Sequence, residues 1–400
     1  MRWWIILLVA AGPGLGQPAE EDEAGRMIQI AGKVAARLEH TPSYTCLETT
    51  DRQWYAGERL PRRVTERVRM EVAVVEGREQ FGWPGGDQFN DQSLQLIRDR
   101  GLTKTGDFYG FLAAIFGTKS RTYEPASEQP HGSTAAIRYA YRVPRSSGYL
   151  LSRDRLAAVV GYHGSFWVDR KTLEVTRLEV EADDIPAGLK ISSAKMAIDY
   201  GTVRVGTGDF LLPQATEARL VSDGIMESRT VTRFSNCRQF GAQSTISFED
   251  KPPAEVGPEN KSGIEFPGGV PLSTSLVTPI ERKTAAVGDP VEVRLRRAVR
   301  IGDGIVIPKG AMVEGRILRL EIHDSWPRPV DLLLLRFTKL RFGEKQVRLQ
   351  ASVIQFGADE SAYPWHEIDP GAPITFLGGF EKLNSGFKLT LRTEPAPPPQ

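Results

Sequence analysis

The chain has 400 residues, of which 25% are charged, and a formal net charge of +1. That balance gives no electrostatic reason to expect nucleic acid or an anionic membrane as partner. The 39 glycines and 27 prolines point to many turns, and so to many short strands.

The N-terminus, "MRWWIILLVAAGPGLGQPAEEDEAG", has one arginine, an apolar run from Trp3 to Ala11, then small residues and an acidic stretch from Glu20. This is the three-part layout of a secretory signal peptide. Cleavage after Gly16 places Gly14 and Gly16 at the small-residue positions, which makes residues 1–16 the signal; the alternative is an uncleaved anchor. The run is too short to span a bilayer as a mature helix, so no transmembrane span is expected in the mature chain. The only cysteines are Cys46 and Cys237. Export to an oxidising compartment allows them one intramolecular disulfide; otherwise they are two free, buried thiols.

The segment "AGRMIQIAGKVAARLEHTPSY" predicts a helix over residues 24–39. Met27, Ile30, Ala31, Val34 and Leu38 follow one apolar face, and Pro42 ends it. The period then changes to two. In "RVTERVRMEVAVVEG", Val64, Val68, Met70, Val72 and Val74 share a face with Glu66, while Thr65, Arg67, Arg69 and Glu71 take the wet one. Residues 85–105 are polar and loop-like, with one helical turn at "SLQLIRD". "TGDFYGFLAAIFG" predicts a short helix with Phe108, Phe111, Leu112, Ile115 and Phe116 as its apolar stripe and Gly117 at its stop.

From Ala136 onward strand follows strand. "GSFWVDRKTLEVTRLEVEA" is a hairpin around Asp169–Thr172, and "MAIDYGTVRVGTGDFLLPQATEARLV" a second around Gly206–Asp209. Repeated antiparallel hairpins imply one large twisted sheet, curled towards a barrel. Residues 251–271 are dense in proline and glycine and predict a linker. Strands resume beyond it. "PVEVRLRRAVRI" puts Val291, Val293, Leu295, Val299 and Ile301 on one side and Glu292, Arg294, Arg296 and Arg300 on the other. Residues 395–400 predict a disordered or polyproline tail.

Two resemblances follow from these segments. The helix at 24–39, the strand "SYTCLETTDRQWY", the "WVDRKTLEVTRLEV" hairpin, "IDYGTVRV" and "FLLPQATEARL" together resemble the LolA/LolB-like lipoprotein-carrier fold over residues 24–250. That resemblance implies an N-terminal helix, a many-stranded half-barrel and lid helices on its concave face. The segment "STSLVTPIERKTAAVGDPVEVRLRRAVRIGDGIVIPKGAMVEGRI" resembles the TrbI-like β-barrel of type IV secretion scaffolds over residues 272–394. It shares an apolar L-x-T-x-I strand, G-D-P-V leading into an alternating strand, and I-P-K-G-A. That resemblance implies a non-catalytic envelope assembly domain, although the cytoplasmic segment and anchor of such scaffolds are missing here.

Familiar chemistry is absent. "GDGIVIPKGAM" fails as a phosphate loop: Lys309 is followed by glycine, Pro308 sits inside, and Val306 and Ile307 favour a strand. It reads instead as a hairpin turning at Asp303-Gly304, with a second turn at Lys309-Gly310. The histidines His40, His131, His163, His323 and His366 are scattered, with no metal-ligand spacing. Ser165 and His163 share a hairpin face with no third partner, so both read as structural. Asp183-Asp184 reads as a solvated turn rather than a glycosidase pair. No catalytic residue, cofactor or metal is expected.

The sequence therefore predicts a mainly antiparallel β protein with a few helices, as a curled half-barrel sheet domain plus a smaller β-barrel domain. The expected role is that of a non-enzymatic cell-envelope protein, in the periplasm or outer-membrane-associated. It would bind a lipid, lipoprotein or protein ligand, with the C-terminal barrel serving docking to envelope proteins. Val68, Met70, Val72, Phe111, Leu112, Ile115 and Phe116 are the candidate lining of an apolar groove; the same residues could equally fill a core. The alternatives are a purely structural envelope component without a ligand cavity, and a periplasmic hydrolase with an unrecognised site.

Overall fold

A computed structural model describes residues 18–56, 62–75, 78–86, 89, 110–117, 122–124, 127–128, 135–153, 156–222, 226–240, 266–302, 304–324, 328–357 and 366–395. The expected signal segment, the expected helical turn at "SLQLIRD", most of the expected 251–271 linker, Phe108, Asp303, His131 and nearly all of the tail lie outside the described residues. The fold is mainly antiparallel β, with two α-helices among the described residues.

Helix α1 spans Pro18–His40. Its expected apolar face is the one that packs inward: Ile30 and Val34 are buried, and Met27, Ala31 and Leu38 lie against the same core. It stops where Thr41 Oγ donates to the Arg37 carbonyl at 2.6 Å, one residue before Pro42. Helix α2, Gly110–Gly117, buries Phe111, Leu112, Ile115 and Phe116. Among the described residues no helix is long and apolar enough to cross a membrane.

The N-terminal strands are β1 (Tyr44–Ala56), β2 (Arg62–Val75), β3 (Arg78–Gly82), β4 (Ala136–Val143), β5 (Tyr149–Arg153), β6 (Leu156–Asp169), β7 (Val175–Asp183), β8 (Ile191–Val205), β9 (Gly208–Ser222) and β10 (Met226–Gln239). Their pairings run β4–β6–β7–β8–β9–β10–β1–β2–β3, all antiparallel. β5 folds back on the first half of β6. The sheet is large and curled and remains open. Helices α1 and α2 cover one of its faces, where Leu178, Ile198, Tyr139, Tyr162 and Phe166 meet them. Phe111 stands edge-on to Tyr149 and Tyr162, with ring centroids at 5.5 and 5.6 Å, and Phe116 to Phe166 at 5.1 Å. Burial pushes the Tyr149 hydroxyl up to about 12.

Cys46 and Cys237 form a disulfide, with Cα atoms 4.1 Å apart, tying β1 to β10 where their register shifts between Thr45 and Leu47. Asn236, with φ 51°, takes the left-handed conformation at that irregularity.

The C-terminal strands are β11 (Pro271–Leu276), β12 (Pro290–Leu295), β13 (Val299–Ile301), β14 (Ile305–Ile307), β15 (Met312–Asp324), β16 (Val330–Phe342), β17 (Lys345–Gly357) and β18 (Lys388–Glu394). Pairings β11–β12–β15–β16–β17–β18 return from β18 to β11 and complete a ring around an aliphatic and aromatic core. The expected continuous strand over 290–301 is two strands in different sheets. The chain leaves the ring after Leu295, where Arg296 N–H donates to the Ser273 carbonyl at 2.8 Å. β13 and β14 then form a separate hairpin across a turn in which Gly302 and Gly304 take positive φ.

The two halves are continuous in hydrogen bonding. The first residues of β2 pair with the last of β15, Glu66 opposite Glu321 and Val64 opposite His323. Val68, Met70 and Trp83 belong to the same core as the C-terminal ring. Loop residue Val287 docks alongside, accepting from Arg69 N–H and donating to the Arg67 carbonyl, both at 2.8 Å.

Candidate functional site

Alternation along the N-terminal strands gives the sheet two chemically distinct faces. Leu178 and Ile198 point to the helices. Their neighbours Arg177 and Asp199 lie on the opposite face, as do Glu217, Arg229, Arg233, Asp51 and Arg67. Register turns these into cross-strand rows. Arg177 sits opposite Asp199, Glu217 opposite Val231, Val231 opposite Asp51, and Asp51 opposite Arg67.

The charges interlock. Arg177 donates to Asp199 at 2.6 Å and to Glu179 at 3.0 Å. Arg67 donates to Asp51 at 2.6 Å. Arg229 holds both oxygens of Glu217 at 3.0 Å, and Arg219 adds a contact at 2.8 Å. The Arg229 hydrogen bond is the main reason the Glu217 carboxyl is drawn down to about 2. Deeper in, Arg52 and Glu66 pair at 3.0 Å with both side chains buried.

A cleft of 610 Å³ opens on this face, walled on its far side by Arg282, Lys283 and Ala285 and by Leu320 and Ile322 of β15. Arg282 is fixed from behind: its guanidinium donates to both oxygens of the fully buried Asp331, at 2.6 and 3.0 Å. In the lining, Arg52, Arg67, Arg177, Arg229, Arg233, Arg282 and Lys283 outnumber Asp51, Glu66, Asp199 and Glu217. Arg233, 63% exposed, reaches Asp51 only at 3.4 Å, and Lys283 is exposed on the opposite wall. The arrangement offers guanidinium and ammonium donors to carboxylate or phosphate oxygens.

The residues predicted to line an apolar groove are buried but do not converge. Val68 and Met70 face the C-terminal core. Val72 packs with Tyr44, Cys46 and Leu212. Phe111, Leu112, Ile115 and Phe116 fill the space under α2. They divide because β2 changes neighbours along its length, from β15 at one end to β3 at the other.

His163 does have a third partner, contrary to expectation. Its Nδ1 lies 2.7 Å from Asp183 Oδ1, and Arg142 donates to Asp183 Oδ2 at 2.8 Å. Nε2 lies 4.0 Å from Glu181, so both ring nitrogens face carboxylates. Asp184 follows Asp183 with φ 49°, which divides that pair between strand and turn. Among the described residues no three His, Cys, Asp or Glu side chains are grouped to hold a metal ion.

The cleft escapes sequence reading because its lining comes from strands far apart in the chain. The local signal is present: charges alternate at period two in "EVTRLEVEA", "PQATEARLV" and "ESRTVTRFS".

No family model matches the chain, and no curated protein matches it. A crystal structure of a DUF1329 family protein from Desulfovibrio piger aligns with 57% of this chain and 97% of its own, at 13% identity and a TM-score of 0.28. At that TM-score the likeness carries no structural argument.

Proposed function

We propose that the chain is a non-enzymatic, exported envelope protein that holds a ligand through anionic groups in the cleft between the sheet and the 282–285 segment. The observation that carries this reading is the excess of cations in the lining, with Arg233 weakly engaged and Lys283 exposed. The ligand chemistry is that of phosphate or carboxylate oxygens on a polar framework. An acyl chain has no support at this cleft, because the nominated apolar side chains are packed in separate cores. Export is supported by the charged, apolar and small-residue order of the N-terminus and by the Cys46–Cys237 disulfide.

The test is calorimetric titration with glycerol phosphate and with a neutral glycerol control, alongside native mass spectrometry after mild extraction. The phosphate should bind and the neutral control should not. Arg233→Ala with Lys283→Ala should weaken binding about tenfold or more, as expected when charge-assisted hydrogen bonds are lost. Equal behaviour of the two compounds, or of the two proteins, would reject the cleft as an anion site. The second reading, a purely structural envelope component, is favoured by the same dense packing under α1 and α2. It predicts no co-purifying ligand and no anion binding.

A further inference from the structure

Four arginines of the C-terminal half are held in ion pairs. Arg282 pairs with Asp331, Arg319 with Glu321, Arg336 with Glu394, and Arg341 with Glu292 and Glu314. Around the β13–β14 hairpin the pattern reverses. Arg294, Arg296, Arg297, Arg300 and Lys309 are all exposed, and none forms an ion pair with a described residue. Between Val293 and Lys309 the sequence holds those five cations against a single carboxylate, Asp303.

The same hairpin exposes aliphatic side chains. Ile305 is 41% and Val306 49% exposed, while their neighbours Ile301 and Ile307 are buried in the barrel core. Register separates the two faces. Ile301 pairs with Ile305 and Val299 with Ile307 on one side, which emerges from the core at Ile305 beside the turn, and Arg300 pairs with Val306 on the outer side. The cations are gathered in space as well as in sequence. Gly310 N–H donates to the Leu295 carbonyl at 2.9 Å, which brings the Lys309 turn against the Arg296-Arg297 corner. A short hairpin thus carries aliphatic residues at and beside its turn and, around its base, a collar of cations without an ion pair among the described residues.

We infer that the β13–β14 hairpin is a docking element for an anionic lipid bilayer surface, with Ile305 and Val306 entering the interface and Arg296, Arg297, Arg300 and Lys309 resting on lipid phosphates. Charge complementarity selects an anionic partner, and the aliphatic pair selects a bilayer over a soluble polyanion. Five cations within so short a stretch make the hairpin the most concentrated positive segment of this half, so it sets the orientation of approach. This site is separate from the cleft and does not depend on it.

The test is co-sedimentation of the purified full chain with vesicles of phosphatidylcholine alone and of phosphatidylcholine doped with phosphatidylglycerol, at low and high salt. The doped vesicles should bind the protein, and high salt should release it. Arg296→Gln with Arg297→Gln should lower the partition coefficient about thirty-fold. Ile305→Ser with Val306→Ser should lower it several-fold. These positions are exposed, and circular dichroism checks the folding of each variant. Failure to bind doped vesicles would overturn the inference. So would heparin binding as tight as vesicle binding with no effect of the serine variant, which would assign the patch to a soluble polyanion.

Discussion

Glu217 shows how far one side chain depends on its neighbours. It accepts from Arg229 through both oxygens and from Arg219 through one. Its folded value of about 2 lies below the ordinary carboxylate range, so its contribution to stability is complete above that range and is lost as pH falls towards 2. A side-chain NMR titration should place its midpoint near 2, and Arg229→Gln should move that midpoint back up. A wild-type midpoint in the ordinary range would mean that the pair does not persist in solution. The alternation of charge around Glu217 is legible in "PQATEARLV", but its partners Arg219 and Arg229 become a clamp only when β9 pairs with β10. His163 shows the same gap: Asp183 is 20 residues away in sequence and 2.7 Å away in space.

At the level of elements, local patterns are read well and long-range neighbours poorly. The faces of α1 and α2 and the hairpins at Asp169–Thr172 and Gly206–Asp209 follow from periodicity and turn chemistry. The splitting of residues 290–301 into two strands does not, because it depends on distant partners: β12 lies between β11 and β15, whereas β13 pairs with β14. Nor does the division of the β2 valines among separate cores, which depends on β15 arriving at one end of that strand. The same junction makes Gly288 critical. Its φ of 97° is in the left-handed region, and a Cβ there would meet the Arg69 carbonyl oxygen at 2.2 Å. Gly288→Ala should therefore lower stability by about 3 kcal/mol, measured by denaturant unfolding. An unchanged midpoint would show that the 282–289 segment does not hold against β2.

For the whole molecule, the even net charge conceals an uneven surface. Ion pairs neutralise much of the sheet's polar face, while the β13–β14 hairpin keeps its cations. Composition alone therefore excludes too much: it argues against an anionic partner for the average surface and says nothing about one hairpin. The Cys46–Cys237 link also acts on this scale, since it joins positions 191 residues apart. Cys46→Ser with Cys237→Ser should cost about 5 kcal/mol in the chain-entropy account, read from unfolding with and without reductant. An equal midpoint for the two proteins would assign the bond no role in stability. The pairing of β1 with β10 has a further, temporal consequence. The first strand of the sheet has β2 as a near neighbour in the chain but meets its other partner, β10, only after some two hundred later residues have emerged, so closing that edge is slow and non-local. During that interval Cys46 is a lone thiol beside an unpaired strand edge, and the oxidation available to it is with another molecule. Oxidative refolding at rising protein concentration should then lose yield through disulfide-linked dimers rather than through misfolded monomers.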